Sequence, residues 1–148
     1  MLNIHATALV VGDRGLLILG PAGSGKTTLA LALIDYFSSH GKFSRLAGDD
    51  QLFVEVRAGR LLALAPPAIA GLVEVWGLGP RPVRFEPEVV LDLAIRLVPA
   101  DQVERLQERA VEIIAGCRVP LIRLAERTVT AALPAVAASL ENGQFRAD

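Results

Sequence analysis

One cysteine, Cys117, in 148 residues has no partner for an intrachain disulfide, so the fold must be held by its core, and a reducing cytoplasm is the compartment that fits. The lone thiol reads as a small core hydrophobe rather than a nucleophile. Aromatics are scarce, 5% against a hydrophobic fraction of 52%, which makes the core aliphatic, as in sheets covered by helices. Charge of one sign is lacking as well. A formal net charge of -1 provides no positive field to draw the chain onto nucleic acid or an anionic membrane, so neither is expected as a partner. No stretch approaches the roughly 20 apolar residues of a membrane span. The run Ala8-Leu9-Val10-Val11 stops at Gly12 with no basic leader before it, and secretion is not expected. There is no internal repeat or low-complexity linker, and the length suits one domain over 1–148 with a polar tail at 141–148.

What is present is an alternation of strand and helix signals. Leu2 to Val11 has strand composition, Gly12-Asp13-Arg14-Gly15 has turn chemistry, and Leu16-Leu17-Ile18-Leu19 suits a buried strand, which together predict a hairpin feeding a central strand. Thr27 to Phe37, free of Gly and Pro, predicts a buried helix stopped near Gly41. A strand follows from Phe43 to Ala47, then a hairpin of Leu52–Val56 and Leu61–Leu64 around Ala58-Gly59-Arg60. Pro66-Pro67 breaks regular structure, and Gly77 to Pro82 reads as a loop opened by Gly and Pro. Val89 to Leu97 predicts a strand, the stretch from Asp101 to Leu124 a β hairpin turning near Gly116, and Thr128 to Leu140 a closing helix despite Pro134. The fold class is α/β, a mixed sheet with flanking helices and hairpins.

The chemistry concentrates in Gly20-Pro21-Ala22-Gly23-Ser24-Gly25-Lys26-Thr27, which matches the Walker A phosphate loop G-x-x-x-x-G-K-[ST] between a buried strand and a helix. Its glycines allow several backbone N–H groups to turn inward around phosphate oxygens, and the helix N-terminus adds partial positive charge. Lys26 suits the β and γ phosphates of ATP and the Thr27 hydroxyl suits Mg²⁺. Asp49-Asp50 closes the next strand. In a strand, helix, parallel strand unit both strand carboxyl ends share one sheet edge, so the pair is expected beside the loop. There one carboxylate can tune the metal site while the other takes a hydroxyl proton. His5 in the first strand, Glu74 on the face opposite Val73 and Val75, and Arg105 within a charged run read by themselves as ordinary surface residues. The loop and base leave the acceptor open, so a protein kinase, a small-molecule kinase and a non-catalytic nucleotide-binding regulator all remain.

Taken in order, these landmarks resemble the catalytic domain of the bacterial HPr kinase/phosphorylases, which phosphorylate a serine of the phosphocarrier HPr of a phosphotransferase system. The resemblance runs over about residues 5 to 106: a His before the loop (His5), the loop itself, Leu46-Ala47-Gly48-Asp49-Asp50 for L-x-A-D-D, Ala65-Pro66-Pro67, and Val73-Glu74-Val75-Trp76-Gly77-Leu78-Gly79 for L-E-[IV]-R-G-L-G. It implies a P-loop fold related to the phosphoenolpyruvate carboxykinase type, in a short form lacking the N-terminal domain of longer members. It further implies a cytoplasmic regulatory serine kinase that uses ATP and Mg²⁺. By the same similarity Asp50 is the proton acceptor, supported by Asp49 and His5; Lys26 is the phosphate ligand; Thr27 and Glu74 are the Mg²⁺ ligands; and Arg105 in Glu104-Arg105-Leu106 is the active-site arginine of a mobile loop. The family also implies a homo-oligomer of the hexamer type and phosphorolytic dephosphorylation as a second activity. Four departures stand out. Trp76 replaces the signature Arg, Thr27-Thr28 replaces Ser-Glu, no P-V-x-x-G-R-N segment is recognisable in Pro120 to Ala132, and His5 stands almost at the start.

Overall fold

Alternation of buried side chains along two hairpin strands determines which face of the sheet each residue serves. In the computed structural model, which describes residues 1–75 and 77–141, Leu9, Val11, Leu16 and Ile18 enter one apolar cluster, whereas Ala8, Val10 and Leu17 enter a second on the opposite face. In chain order the strands are β1 (Leu2–Ile4), β2 (Thr7–Val11), β3 (Arg14–Leu19), β4 (Ser44–Gly48), β5 (Leu52–Arg57), β6 (Arg60–Leu64), β7 (Leu72–Val75), β8 (Gly79–Pro82), β9 (Val89–Val98), β10 (Ala110–Ile114) and β11 (Cys117–Ala125). The helices are α1 (Lys26–Ser39), between β3 and β4, and α2 (Val129–Glu141), after β11.

Among the described residues, nine strands form one sheet in the order β1-β5-β6-β9-β3-β2-β4, with β11 pairing to β9 and β10 to β11, while β7 and β8 make a separate ribbon. β2 lies antiparallel to both β3 and β4, so β4 runs parallel to β3 with β2 between them. β9 is parallel to β3, and β11 is parallel to β9. The carboxyl ends of β3, β4, β9 and β11 therefore share one edge. On one face α1 and α2 supply Leu29, Ala30, Leu33, Phe37, Ala132 and Val136 to the first cluster. On the other face Leu52, Val54, Leu61 and Ala63 of the β5–β6 hairpin cover Leu17, Leu91 and Ala94.

Most of the expected elements are present. The sequence Leu2 to Val11 is not one strand, however: it breaks at His5-Ala6, because β1 pairs with β5 whereas β2 pairs with β3 and β4. The Pro-Pro break is followed by a short 3-10 turn, Pro67–Ile69. Gly79–Pro82, expected as loop, is a strand paired with β7, and each of its prolines stands in an edge ribbon that does not require the missing N–H. Among the described two-residue hairpin turns, Ala58-Gly59 and Ala115-Gly116 have positive φ at each position, whereas Gly12-Asp13 has it at Gly12 alone, primed geometries that match the strand twist. Pro134 sits inside α2. No described helix is long and apolar enough to cross a membrane. Trp76 and the segment 142–148 lie outside the described residues.

Candidate functional site

Strand direction delivers the candidate side chains to one place. The loop 20–25 leaves the carboxyl end of β3, the Asp pair leaves that of β4, and Thr7 stands at the amino end of the antiparallel β2 between them. Asp49 is buried, 7% exposed, and a buried carboxylate needs hydrogen-bond partners. It has three. Asp49 Oδ1 accepts from Thr27 Oγ1 at 2.7 Å and from Thr7 Oγ1 at 3.0 Å, and Oδ2 accepts from the backbone N–H of Glu74 at 3.5 Å. The first turn of α1, the amino end of β2 and the β7–β8 ribbon are thus joined through one side chain.

Asp50 has different surroundings. Its side chain is 63% exposed, and Oδ1 lies 3.1 Å from His5 Nε2. Its φ is 68°, a left-handed conformation that a short polar residue tolerates better than most. The turn is pinned from both sides, since Ala6 N–H donates to Asp50 O at 3.1 Å and Asp50 N–H reaches Thr7 Oγ1 at 3.5 Å. One carboxylate is consequently an internal strut and its neighbour an open base.

The glycine loop is shaped for an anion. Gly25 caps α1 at φ 98° with no side-chain cap, and the first turn of the helix carries no acidic residue, so its leading N–H groups and dipole are uncompensated. Gly23 has φ 79° and open space where a Cβ would stand. Gly20 is the opposite case, because a Cβ there would meet Ser24 Oγ at 2.6 Å. Lys26, only 6% exposed, donates from Nζ to the carbonyls of Gly20 at 2.9 Å and Pro21 at 3.2 Å. The cation is held inside the loop, where an anionic ligand would complete its coordination.

Of the remaining sequence candidates, Glu74 lies on β7 with an exposed side chain, its backbone tied to Asp49. Arg105 is elsewhere: it lines a groove with Leu121, Ala135 and Ser139, beside the middle of α2, and among the described residues no hydrogen bond or ion pair links it to Asp50 or the loop. Thr7 and Arg127 escape the sequence reading, whereas Ser24 is read there as part of the glycine loop. Thr7 could have been suspected as the one hydroxyl in an apolar strand, two positions from His5. Ser24 is 0% exposed and its Oγ has no hydrogen-bond partner among the described residues. Arg127, at φ 56° just before α2, donates its Nε to Gly23 O at 2.8 Å and its backbone N–H to Ser24 O at 3.1 Å. The stretch in which no G-R-N was recognisable therefore brings an arginine onto the loop. No local sequence signal marks it.

No family model matches the chain. It is 34% identical over 77 residues to the HPr kinase/phosphorylase of Clostridium tetani, which covers 52% of this chain and 23% of that protein. To that of Bordetella petrii it is 33% identical over 115 residues, 70% and 35% of the two chains. It superposes on the structure of the Hpr(Ser) kinase/phosphatase from Coxiella burnetii with a TM-score of 0.80 at 26% identity, over 96% of this chain and 90% of that one. The chain is a relative of the HPr kinase/phosphorylases. It spans about a quarter to a third of the length of these curated HPr kinase/phosphorylases. The likeness to the Coxiella protein extends over 96% of this chain, well beyond the 5 to 106 stretch in which the sequence resembles the HPr kinase/phosphorylases.

The arrangement can bind an anion at the loop and accept a proton at Asp50, whose side chain is 63% exposed. Among the described residues no group of three or more His, Cys, Asp or Glu side chains is placed to hold a metal. The donor set of Thr27, Asp49 and Glu74 suits a hard cation that keeps waters and phosphate oxygens in its shell, as Mg²⁺ does.

Proposed function

We propose that this chain is a serine kinase for an HPr-type phosphocarrier, using ATP with Mg²⁺. One observation carries the reading above the others. Two adjacent carboxylates at the glycine loop are in unlike states, Asp49 buried and clasped by Thr7 and Thr27, Asp50 exposed and facing His5. That division matches a site in which one carboxylate organises and the other reacts.

The N–H groups of the loop and of the first turn of α1 would hold the phosphate oxygens of ATP. Lys26 Nζ would share its hydrogens between the loop carbonyls and the β and γ phosphates. Thr27 Oγ1 and Glu74 would hold Mg²⁺, with Asp49 fixing the Thr27 hydroxyl; the ion, when bound, neutralises charge on the phosphate oxygens. Asp50 takes the proton of the serine hydroxyl as that oxygen bonds to the γ phosphorus, and the bond to the bridging oxygen breaks to release ADP. His5 donates from Nε2 to Asp50 and keeps the carboxylate aimed at the acceptor. Arg105 enters this reading only through movement of the 103–109 segment toward the loop. Val111 and Ile113, 40% and 67% exposed along β10, offer an apolar row to a second copy and support an oligomer.

The test is transfer of labelled phosphate from ATP to an HPr-type carrier, alongside a carrier whose serine is replaced. Label is expected on the first carrier alone, and Lys26→Ala should abolish it in a protein that still melts cooperatively. The same protein given phosphorylated carrier and inorganic phosphate should release pyrophosphate more slowly than it phosphorylates. Transfer to small hydroxylated compounds but not to the carrier would reject the proposed acceptor.

A further inference from the structure

Between the first turns of α1 and α2, directly behind the glycine loop, lies a cavity of about 170 Å³. Leu29, Leu97, Ala125 and Ala132 form its apolar part, and Gly25, the cap of α1, is a wall shared with the loop. Leu29, Leu97 and Ala132 are 2%, 3% and 3% exposed, whereas Thr28, Arg127 and Thr128 are exposed around the opening. An apolar cavity of about 150 Å³ is large enough for one six-membered aromatic ring. This one can therefore admit a flat aromatic group from its rim.

Its position says which group. β2 and β4, which bring Thr7, Asp49 and Asp50, lie on one side of β3; β9 and β11, which end at the cavity, lie on the other. A polyphosphate held along the loop with its reactive end at Asp50 directs its other end toward Gly25 and the cavity. At that mouth the Arg127 side chain is anchored by its Nε to Gly23 O at 2.8 Å, and a planar guanidinium so held stacks well on an aromatic face. We propose that this cavity seats the purine base of the bound nucleoside triphosphate, with Arg127 covering the face of the ring that the apolar floor leaves open. The inference rests on the reading of the loop as the phosphate site. Among the described residues the walls include no carboxylate or amide side chain, so the base is held by shape and stacking.

The experiment compares ATP with inorganic tripolyphosphate by calorimetry in Mg²⁺ buffer, on the wild-type chain, on Ala132→Leu, which fills the floor, and on Thr28→Trp, which blocks the mouth from an exposed position. Thermal melting establishes that each variant is folded, and Thr28→Trp serves if Ala132→Leu is not. Wild type should bind ATP about 10- to 100-fold more tightly than tripolyphosphate, the worth of burying one aromatic ring. The variants should lose that advantage while binding tripolyphosphate as wild type does. Equal affinity of wild type for the two ligands would overturn the base seat, as would folded variants with unchanged ATP affinity or with equal losses on both ligands. Binding of neither ligand to wild type would instead overturn the phosphate-loop reading, and the base seat with it.

Discussion

Replacing Thr7 by Val tests whether the Asp pair is held from the amino end of β2. The hydroxyl is 0% exposed and donates to Asp49 Oδ1 at 3.0 Å, one of three hydrogen bonds to that buried carboxylate among the described residues. A hydrogen bond to an ionised group contributes about 1.5–3 kcal/mol, and a methyl group cannot replace it. The expected cost is about 2 kcal/mol, which for a chain of this length is a fall in Tm of about 4–8 °C. The same hydroxyl reaches the Asp50 N–H at 3.5 Å, so its loss also frees the turn that aims the base. Misplacing a catalytic group by about 1 Å costs up to about 100-fold, and kcat for carrier phosphorylation should fall about 10- to 100-fold. ATP affinity should hold, because Lys26 and the loop are untouched. Thr27 Oγ1 donates to the same oxygen, so Thr7→Val and Thr27→Val combined should depart from additivity. A Thr7→Val protein whose Tm lies within about 1 °C of wild type and whose kcat is unchanged would refute this account of the Asp pair.

Two further outcomes follow from positions away from the loop. Gly15→Ala would place a Cβ 1.9 Å from Val90 O, a backbone atom of the neighbouring β9, and should cost more than about 3 kcal/mol, read as loss of a cooperative melt or insoluble expression. Asp92, whose side chain is 13% exposed, has its carboxyl pushed above the ordinary 3.8 by burial, against the opposing effect of the Gly15 N–H that donates to it at 2.9 Å. A raised pKa means the folded state binds the proton more tightly than the unfolded chain, so this contribution is complete below 3.8 and is lost as pH rises through the folded value. Asp92→Asn should therefore flatten the decline in stability on raising pH from that point, measured by denaturant unfolding at several pH values; a decline as steep as that of wild type would exclude Asp92 as its source.

Contiguous chemistry is legible in the sequence. The glycine loop was readable because its residue types state a backbone requirement, and Asp49-Asp50 could be placed beside it because parallel β3 and β4 must end at one edge. What could not be read depends on pairing across the chain. Thr7 acts on a carboxylate 42 positions away and Arg127 on a carbonyl 104 positions away, and neither has a neighbour that advertises the contact. Gly79–Pro82 looked like a loop because Gly and Pro disfavour sheets, yet an edge ribbon with one partner tolerates both. The break at His5-Ala6 was hidden for a related reason. Composition says that Leu2 to Val11 is extended but not that its two halves pair with different strands. The distinction between a buried Asp49 and an exposed Asp50 follows from that same tertiary pairing.

The most direct measurement is single-turnover transfer of labelled phosphate from ATP to an HPr-type carrier by Asp50→Asn, with ATP affinity determined in parallel. Asn tolerates the left-handed φ of 68° as Asp does, so the turn and the His5 side of the site should persist, and only the capacity to take a proton is removed. Transfer should fall by about 100-fold or more, the usual worth of a general base, with ATP binding as in wild type. Transfer by Asp50→Asn at the wild-type rate would contradict the assignment of Asp50 as the base.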